Sequence, residues 1–169
     1  LGAVPAWLRI VGASDDQRMI DAAVFDFDGT LVQSNLIKFE AWRDVAALAG
    51  VEHSQVLELM VEASQGDRYM ICDAIASMSA GKTQSSVDAE DLATYYGNIC
   101  RDLVAACPEV AGATALLKWL ADRKVPAFVN SATPRTALED ILRMRDWLGY
   151  FKEVLGRPAD KALNLKYVI

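Results

Sequence analysis

The string AAVFDFDGTL, residues 22–31, decides the fold. It opens with the apolar run Ala22, Ala23, Val24 and Phe25, then sets Asp26 and Asp28 two positions apart before a Gly29-Thr30 turn. A short apolar run bounded by turn residues reads as a buried parallel strand. Strand side chains alternate faces, so Asp26 and Asp28 project the same way. In an open α/β sheet, ligands sit outside the carboxyl ends of the strands. The spacing therefore places two carboxylates where a ligand would lie. Neighbouring carboxylates repel and lose hydration on burial, which calls for a cation or a chemical task. The alternative is a strand-ending Asp-Gly turn whose acids cap local amides.

The chain has 169 residues, room for one domain or a core plus an insert. Hydrophobic residues make up 53%, enough for a globular core and incompatible with a disordered chain. No apolar run approaches the ~18 residues of a membrane span, and the N-terminus lacks the layout of a signal peptide. A net charge of −6 argues against a nucleic-acid partner. It still permits phosphate binding where a metal or local donors reverse the field. Cys72, Cys100 and Cys107 have no metal-like spacing and read as small buried hydrophobes, Cys100 and Cys107 on one helix face. A reducing cytoplasm is the expected location.

Periodicity orders the rest. Apolar residues at helical spacing predict a helix over 37–49 ending at Gly50, and a second capped by Ser54. Asp67 opens a third, and Asp88 with Asp91 starts a long fourth. The polar run GKTQSS (81–86) is a loop. Residues 113–122 read as a helix and Val125–Val129 as a short strand. Pro134, at a first helical position, starts another helix. Residues 151–155 read as a third strand. Strand, helical insert, then helix–strand–helix–strand suits a parallel α/β core. An ordinary doubly wound domain with long helical connections has the same order.

Further candidates lie at the same sheet edge. In VPAFVNSATPRTALEDIL, Ser131 and Ala132 lie just before a helix N-terminus, where free amides and the dipole favour an anion. Read alone, Thr133 is an N-cap and Ser131 a loop residue. The apolar run with DFDGTLV resembles the first motif of the haloacid dehalogenase-like (HAD) hydrolase superfamily. Ser131 stands at the place of its second motif. FKEVLGRPADKALNLKYVI resembles the third-motif region, with Lys161 in the motif position; the alternative is a solvated helix lysine like Lys166.

The resemblance, to phosphoglycolate phosphatase-like members, implies a Rossmann-like parallel sheet core over 19–34 and 108–169. A helical cap would occupy 35–107, with 1–18 as an extension and Met19 as a natural start. It implies an Mg²⁺-dependent phosphatase acting on a small-molecule phosphate ester. Asp26 would be the nucleophile and Asp28 the acid and base. Mg²⁺ would contact the Asp26 carboxylate and the Asp28 backbone carbonyl. Gly29, Thr30, Ser131, Ala132 and Lys161 would hold the phosphoryl group. A phosphomutase is the sibling activity, and a non-catalytic phosphate-binding module is an alternative of another class. In the cap, Asn35, Lys38 and Arg68 are candidates for substrate selection, against the reading of Lys38 and Arg68 as solvated helix residues. His53, the one histidine, is assigned no role. The family's fourth motif, acids after a fourth strand beside the first, has no counterpart before Ile169. The expectation is a fragment, or the ordered part of a longer chain, with a core incomplete at its C-terminal side and the first strand at the sheet edge.

Overall fold

The computed structural model describes residues 20–62, 68–80 and 87–168. The 1–18 segment, Met19, Gly66, Asp67 and the 81–86 loop lie outside the described residues. Strand β1 spans Ala23–Phe25. Four helices follow: α1 Asn35–Ala49, α2 His53–Glu62, α3 Arg68–Ser79 and α4 Ala89–Ala106. The chain then forms α5 Ala113–Asp122, β2 Ala127–Pro134, α6 Arg135–Met144, a 3₁₀ turn Leu148–Tyr150, β3 Glu153–Arg157 and α7 Lys161–Val168. The fold is α/β, with a helical insert between its first two strands.

Local chemistry accounts for most of these limits. Helix α1 buries Ala41, Trp42, Val45, Ala46 and Ala49 on one face and stops at Gly50, whose φ of 64° is left-handed. Asp88 caps α4 by accepting the Asp91 N–H, and Glu90 and Asp91 complement the dipole of its first turn. Helix α2 begins at His53, so Ser54 lies inside it and is not its cap.

Two strand limits differ from the sequence reading. Strand β2 continues to Pro134 and does not end near Val129. A proline drives the residue before it to extended backbone, so Thr133 stays in the strand. Pro134 itself, at φ −53° and ψ 137°, is the N-cap of α6 and not its first helical residue. Strand β3 starts at Glu153, because Phe151 turns inward to meet Phe25 edge-on at 6.5 Å.

The three strands are parallel in the order β1-β2-β3, which leaves β1 at the edge of the described sheet. Val24 pairs with Phe128, and Val129 with Val154. Register then shifts: Asn130 faces Leu155, yet Pro134 faces Arg157. The intervening β2 residues 131–133 thus bulge, and bulges re-aim side chains beside functional sites.

Two apolar clusters hold the molecule. One packs Phe27, Val129, Leu138 and Leu142 with Leu117 around the sheet. The other gathers Trp42, Val45, Val56, Ile75 and Leu92 among α1–α4. Each fully buried side chain of this size contributes ~1.5–3 kcal/mol. Helix α4 joins both clusters, with Tyr96 and Cys100 in the second and Val104 in the first.

Candidate active site

The turn after β1 is built on Gly29, whose φ is +73°. That left-handed φ favours glycine, and a Cβ there would also lie 2.5 Å from Asn35 Nδ2, forcing that side chain to move. The Gly29 amide donates to Val32 O at 2.8 Å, and the Thr30 amide to Phe27 O at 3.3 Å. In this structure both amides serve the turn that orients the acids.

Asp28 collects four donors. Ser34 Oγ donates to Oδ1 at 2.6 Å. Lys38 Nζ reaches Oδ2 at 2.6 Å, with Thr133 Oγ1 at 3.3 Å and Ser131 Oγ at 3.4 Å from the same oxygen. Lys38 also donates to Thr133 Oγ1 at 3.1 Å, tying α1 to β2 through the acid. Tyr96 Oη donates to the Lys38 carbonyl at 3.3 Å and its ring stacks on Trp42 at 4.1 Å. That brace fixes the turn of α1 from which Lys38 extends. Burial pushes the Tyr96 phenol well above its usual range and raises the neighbouring Cys100 thiol. Both stay neutral partners beside the charges.

Asp26 has its own cation. Lys161 Nζ lies 2.7 Å from Asp26 Oδ1, which also accepts the Phe27 N–H at 2.7 Å. Asp26 is the more open acid, its side chain 43% exposed against 19% for Asp28. Lys161 is delivered by a buried amide pair. Asn164 Nδ2 donates to Asn130 Oδ1 at 3.1 Å, and Asn130 Nδ2 donates to Lys161 O at 2.9 Å. Asp160 caps the same turn by accepting the Leu163 N–H.

The structure thus joins Asp26, Asp28, Ser131 and Lys161 at one sheet edge and adds Lys38 through its ion pair. Ala132 is exposed in the bulge between Ser131 and Thr133. Asn35 rests on the Gly29 turn. Arg68 stands apart, on the helical side of a cleft of about 550 Å³ lined also by Asp28, Lys38 and Thr133. Asp26 and Lys161 are not part of that lining. Two residues of chain span at most ~7 Å, so a group held at Asp26 still leaves its attached portion beside Asp28 and the cleft.

Sequence reading missed Ser34, Thr133, Asn130 and Asn164. An i, i+2 rule from Ser131 along β2 would have found Thr133. The two asparagines carry no local signal, since each makes sense only with the other.

The acid pair also offers hard oxygen ligands. Mg²⁺ binds through one or two carboxylates, keeps several waters and takes substrate phosphate oxygens. Both described partners of the Asp26 carboxylate meet Oδ1, which fits a cation at its other oxygen. Both carboxylate oxygens of Asp28 are engaged, so its backbone carbonyl is the fitting donor. Among the described residues no third acid, histidine or cysteine completes a cluster.

A parallel α/β core, a helical insert after β1 and a lysine-matched acid pair at the carboxyl edge define a class of hydrolase fold. The chain belongs to the haloacid dehalogenase-like hydrolases, whose family model matches residues 20–164. No curated protein matches it by sequence. CbbY from Rhodobacter sphaeroides, solved with xylulose 1,5-bisphosphate, superposes with a TM-score of 0.65 at 17% identity, over 89% of this chain and 73% of that one. A protein described as a predicted phosphoglycolate phosphatase from Haemophilus somnus gives 0.62 at 16% identity, over 88% and 70%. The HAD-type protein YfnB from Bacillus subtilis, solved bound to magnesium, gives 0.57 at 14% identity, over 81% and 65%. At these identities the likeness is one of fold. The chain spans less than two thirds of YfnB.

Proposed function

We propose that the protein is an Mg²⁺-dependent phosphatase that hydrolyses a small phosphate monoester through an aspartyl phosphate. The observation that carries this is the division of partners. Asp26 is open and set against Lys161, while Asp28 is enclosed by hydroxyls and Lys38. Two carboxylates in unlike surroundings suit two unlike roles.

A carboxylate oxygen of Asp26 attacks phosphorus, and the ester oxygen leaves with a proton from Asp28. Asp28 then takes a proton from water as that water attacks the aspartyl phosphate. The products are inorganic phosphate and free Asp26. Lys161 and Ser131 offer donors to the phosphoryl oxygens, with the Ala132 amide as a further candidate, while the Gly29 and Thr30 amides hold the turn beneath them. Bound Mg²⁺, held by the Asp26 carboxylate and the Asp28 carbonyl, would supply charge neutralisation for the phosphoryl group. Residues 35–107 act as a cap, with Asn35, Lys38 and Arg68 facing the leaving group.

Turnover of p-nitrophenyl phosphate with Mg²⁺ tests the reading. The expected result is hydrolysis abolished by Asp26→Asn. Turnover that survives this substitution, or none in the unaltered protein, rejects it.

A further inference from the structure

We propose that the phosphate ester taken by this site carries an apolar, ring-bearing alcohol portion, held in a slot between α4 and α6 where Ala137 sets the preference over polyol esters. The inference rests on the phosphatase reading of Asp26 and Asp28 and narrows its substrate class.

Helical spacing gives the first argument. Helix α4 packs on α6, and each turns one face to the cleft. From α4 come Gly97, Cys100 and Val104, and from the start of α6 come Pro134, Ala137 and Ile141. Both sets run i, i+3, i+7, the spacing of one helical face. Neither set offers a hydroxyl, an amide side chain or a charge. Burial raises the Cys100 thiol, which keeps it neutral at neutral pH. Val104 and Ile141 are 0% and 2% exposed and belong to the sheet cluster, so the slot ends on the core.

The placement of polar groups gives the second. Those that bear on the ester bond gather around Asp28, where Lys38 Nζ lies 2.6 Å from Oδ2 and 3.1 Å from Thr133 Oγ1. Two arginines of the lining meet groups of the protein itself. Arg68 Nη2 donates to Tyr69 Oη at 3.3 Å, and its guanidinium lies 5.1 Å from the centre of that ring. Arg101 Nε lies 2.9 Å from Asp102 Oδ1. An arginine engaged at its head still covers apolar surface with its methylene stem.

Desolvation gives the third. A volume of about 550 Å³ is that of a small-molecule site, and such sites are walled mainly by apolar side chains with a few polar groups that fix orientation. A phosphoryl group at Asp26 leaves its alcohol portion beside Asp28, at the mouth of the slot. A polyol there would give up water for side chains that offer its hydroxyls nothing. A ring exchanges water for apolar contact. Ala137 is half-buried in the middle of the α6 face and is not among the described partners of Asp28, so a larger polar residue there alters the slot and spares the acid.

Phosphonates, which carry no ester bond to hydrolyse, test this by calorimetry on the unaltered protein with Mg²⁺. The probes are 2-phenylethylphosphonate, 3,4-dihydroxybutylphosphonate and, as the bare headgroup, methylphosphonate. The phenyl probe should bind about tenfold or more tighter than the diol. Ala137→Gln should reduce that ratio to about threefold or less. The ratio is taken within one protein, so a general loss of phosphonate affinity cancels from it. If Ala137→Gln fails to fold, Pro134→Ser takes its place, because serine is itself a favoured N-cap and strips only the ring from the wall. It too should lower the ratio several-fold. A diol probe bound as tightly as the phenyl probe, or a ratio unmoved by the substitution, overturns the slot and leaves the phosphatase reading standing. Failure of all three probes to bind overturns the slot, and overturns the phosphatase reading as well if p-nitrophenyl phosphate is not turned over.

Discussion

Asp28 is where residues from three segments converge: the turn after β1, the first turns of α1, and the β2 bulge. Lys38 is the one charged donor among its described partners. If Lys38 orients the acid, Lys38→Met should lower kcat about tenfold to a hundredfold, within the range of general acid–base effects, and move KM less. Lys38→Arg should recover part of the loss. A raised KM with unchanged kcat would show that Lys38 touches substrate alone. This role was not legible in the sequence, because helical periodicity gives the face a residue occupies but not what its side chain reaches. The places of Ser131, just ahead of a helix, and of Lys161, at a helix start, were legible because position there implies direction, whereas their roles came from the motif resemblance. A second residue-scale prediction concerns Asn164. Asn164→Leu leaves the buried Asn130 carbonyl unpaired and should cost ~1–3 kcal/mol in urea unfolding. If the amide pair acts by aiming Lys161, its kinetic effect should vanish in a Lys161→Ala background. Additive losses in that double-mutant cycle would make the pair a packing element only.

Among the elements, those with strong periodicity and a clear stop were readable. Helix α5 runs over the expected 113–122. Strand β2 was not, because Asn130-Ser131-Ala132-Thr133 is polar and ends in proline, the composition of a loop. Tertiary pairing with β3 overrides that composition. The bulge that results depends on Gly156 in β3. A Cβ there would meet Thr133 O at 2.6 Å and the Arg135 N and Cα at 2.8 Å. These are backbone atoms at the β2–α6 junction, and they cannot swing aside as a flexible side chain would. Gly156→Ala should therefore destabilise the protein by ~1–3 kcal/mol, as overpacking does, and displace Thr133 from Asp28. A lowered urea midpoint together with reduced turnover is the expected pair of results. Unchanged stability would mean that β3 is not pressed against the junction.

At the scale of the molecule, α4 joins the two apolar clusters along its length, and α1 adds a smaller link through Ile37 and Lys38. Helix α4 buries Leu92, Ala93, Tyr96 and Cys100 in the insert cluster and Val104 in the sheet cluster. Its far end is gripped by Arg145, whose Nη1 donates to the carbonyls of Val104, Ala105 and Cys107 at 3.1, 2.9 and 2.8 Å. The connecting segments also pair across the junction, with Gln33 N donating to Pro108 O and Val110 N to Leu31 O. Periodicity predicted each helix of the insert, but one helix serving two cores shows only in three dimensions. The cysteines report on this coupling. Cys72 and Cys100 lie in the insert cluster and Cys107 in the sheet cluster, all buried and free of disulfides. Cys107 follows α4 as its C-cap, so it does not share a helical face with Cys100. Burial raises the Cys100 and Cys107 thiols above their usual range, which lowers the thiolate fraction a disulfide reagent needs at neutral pH. In native protein at pH 7, Ellman's reagent should therefore react slowly with every thiol. All three should become reactive in one urea transition that coincides with loss of helical circular dichroism. If α4 did not transmit stability between the clusters, Cys72 and Cys100 would react at lower urea than Cys107. Two separated labelling steps would then identify the insert as an independent folding unit.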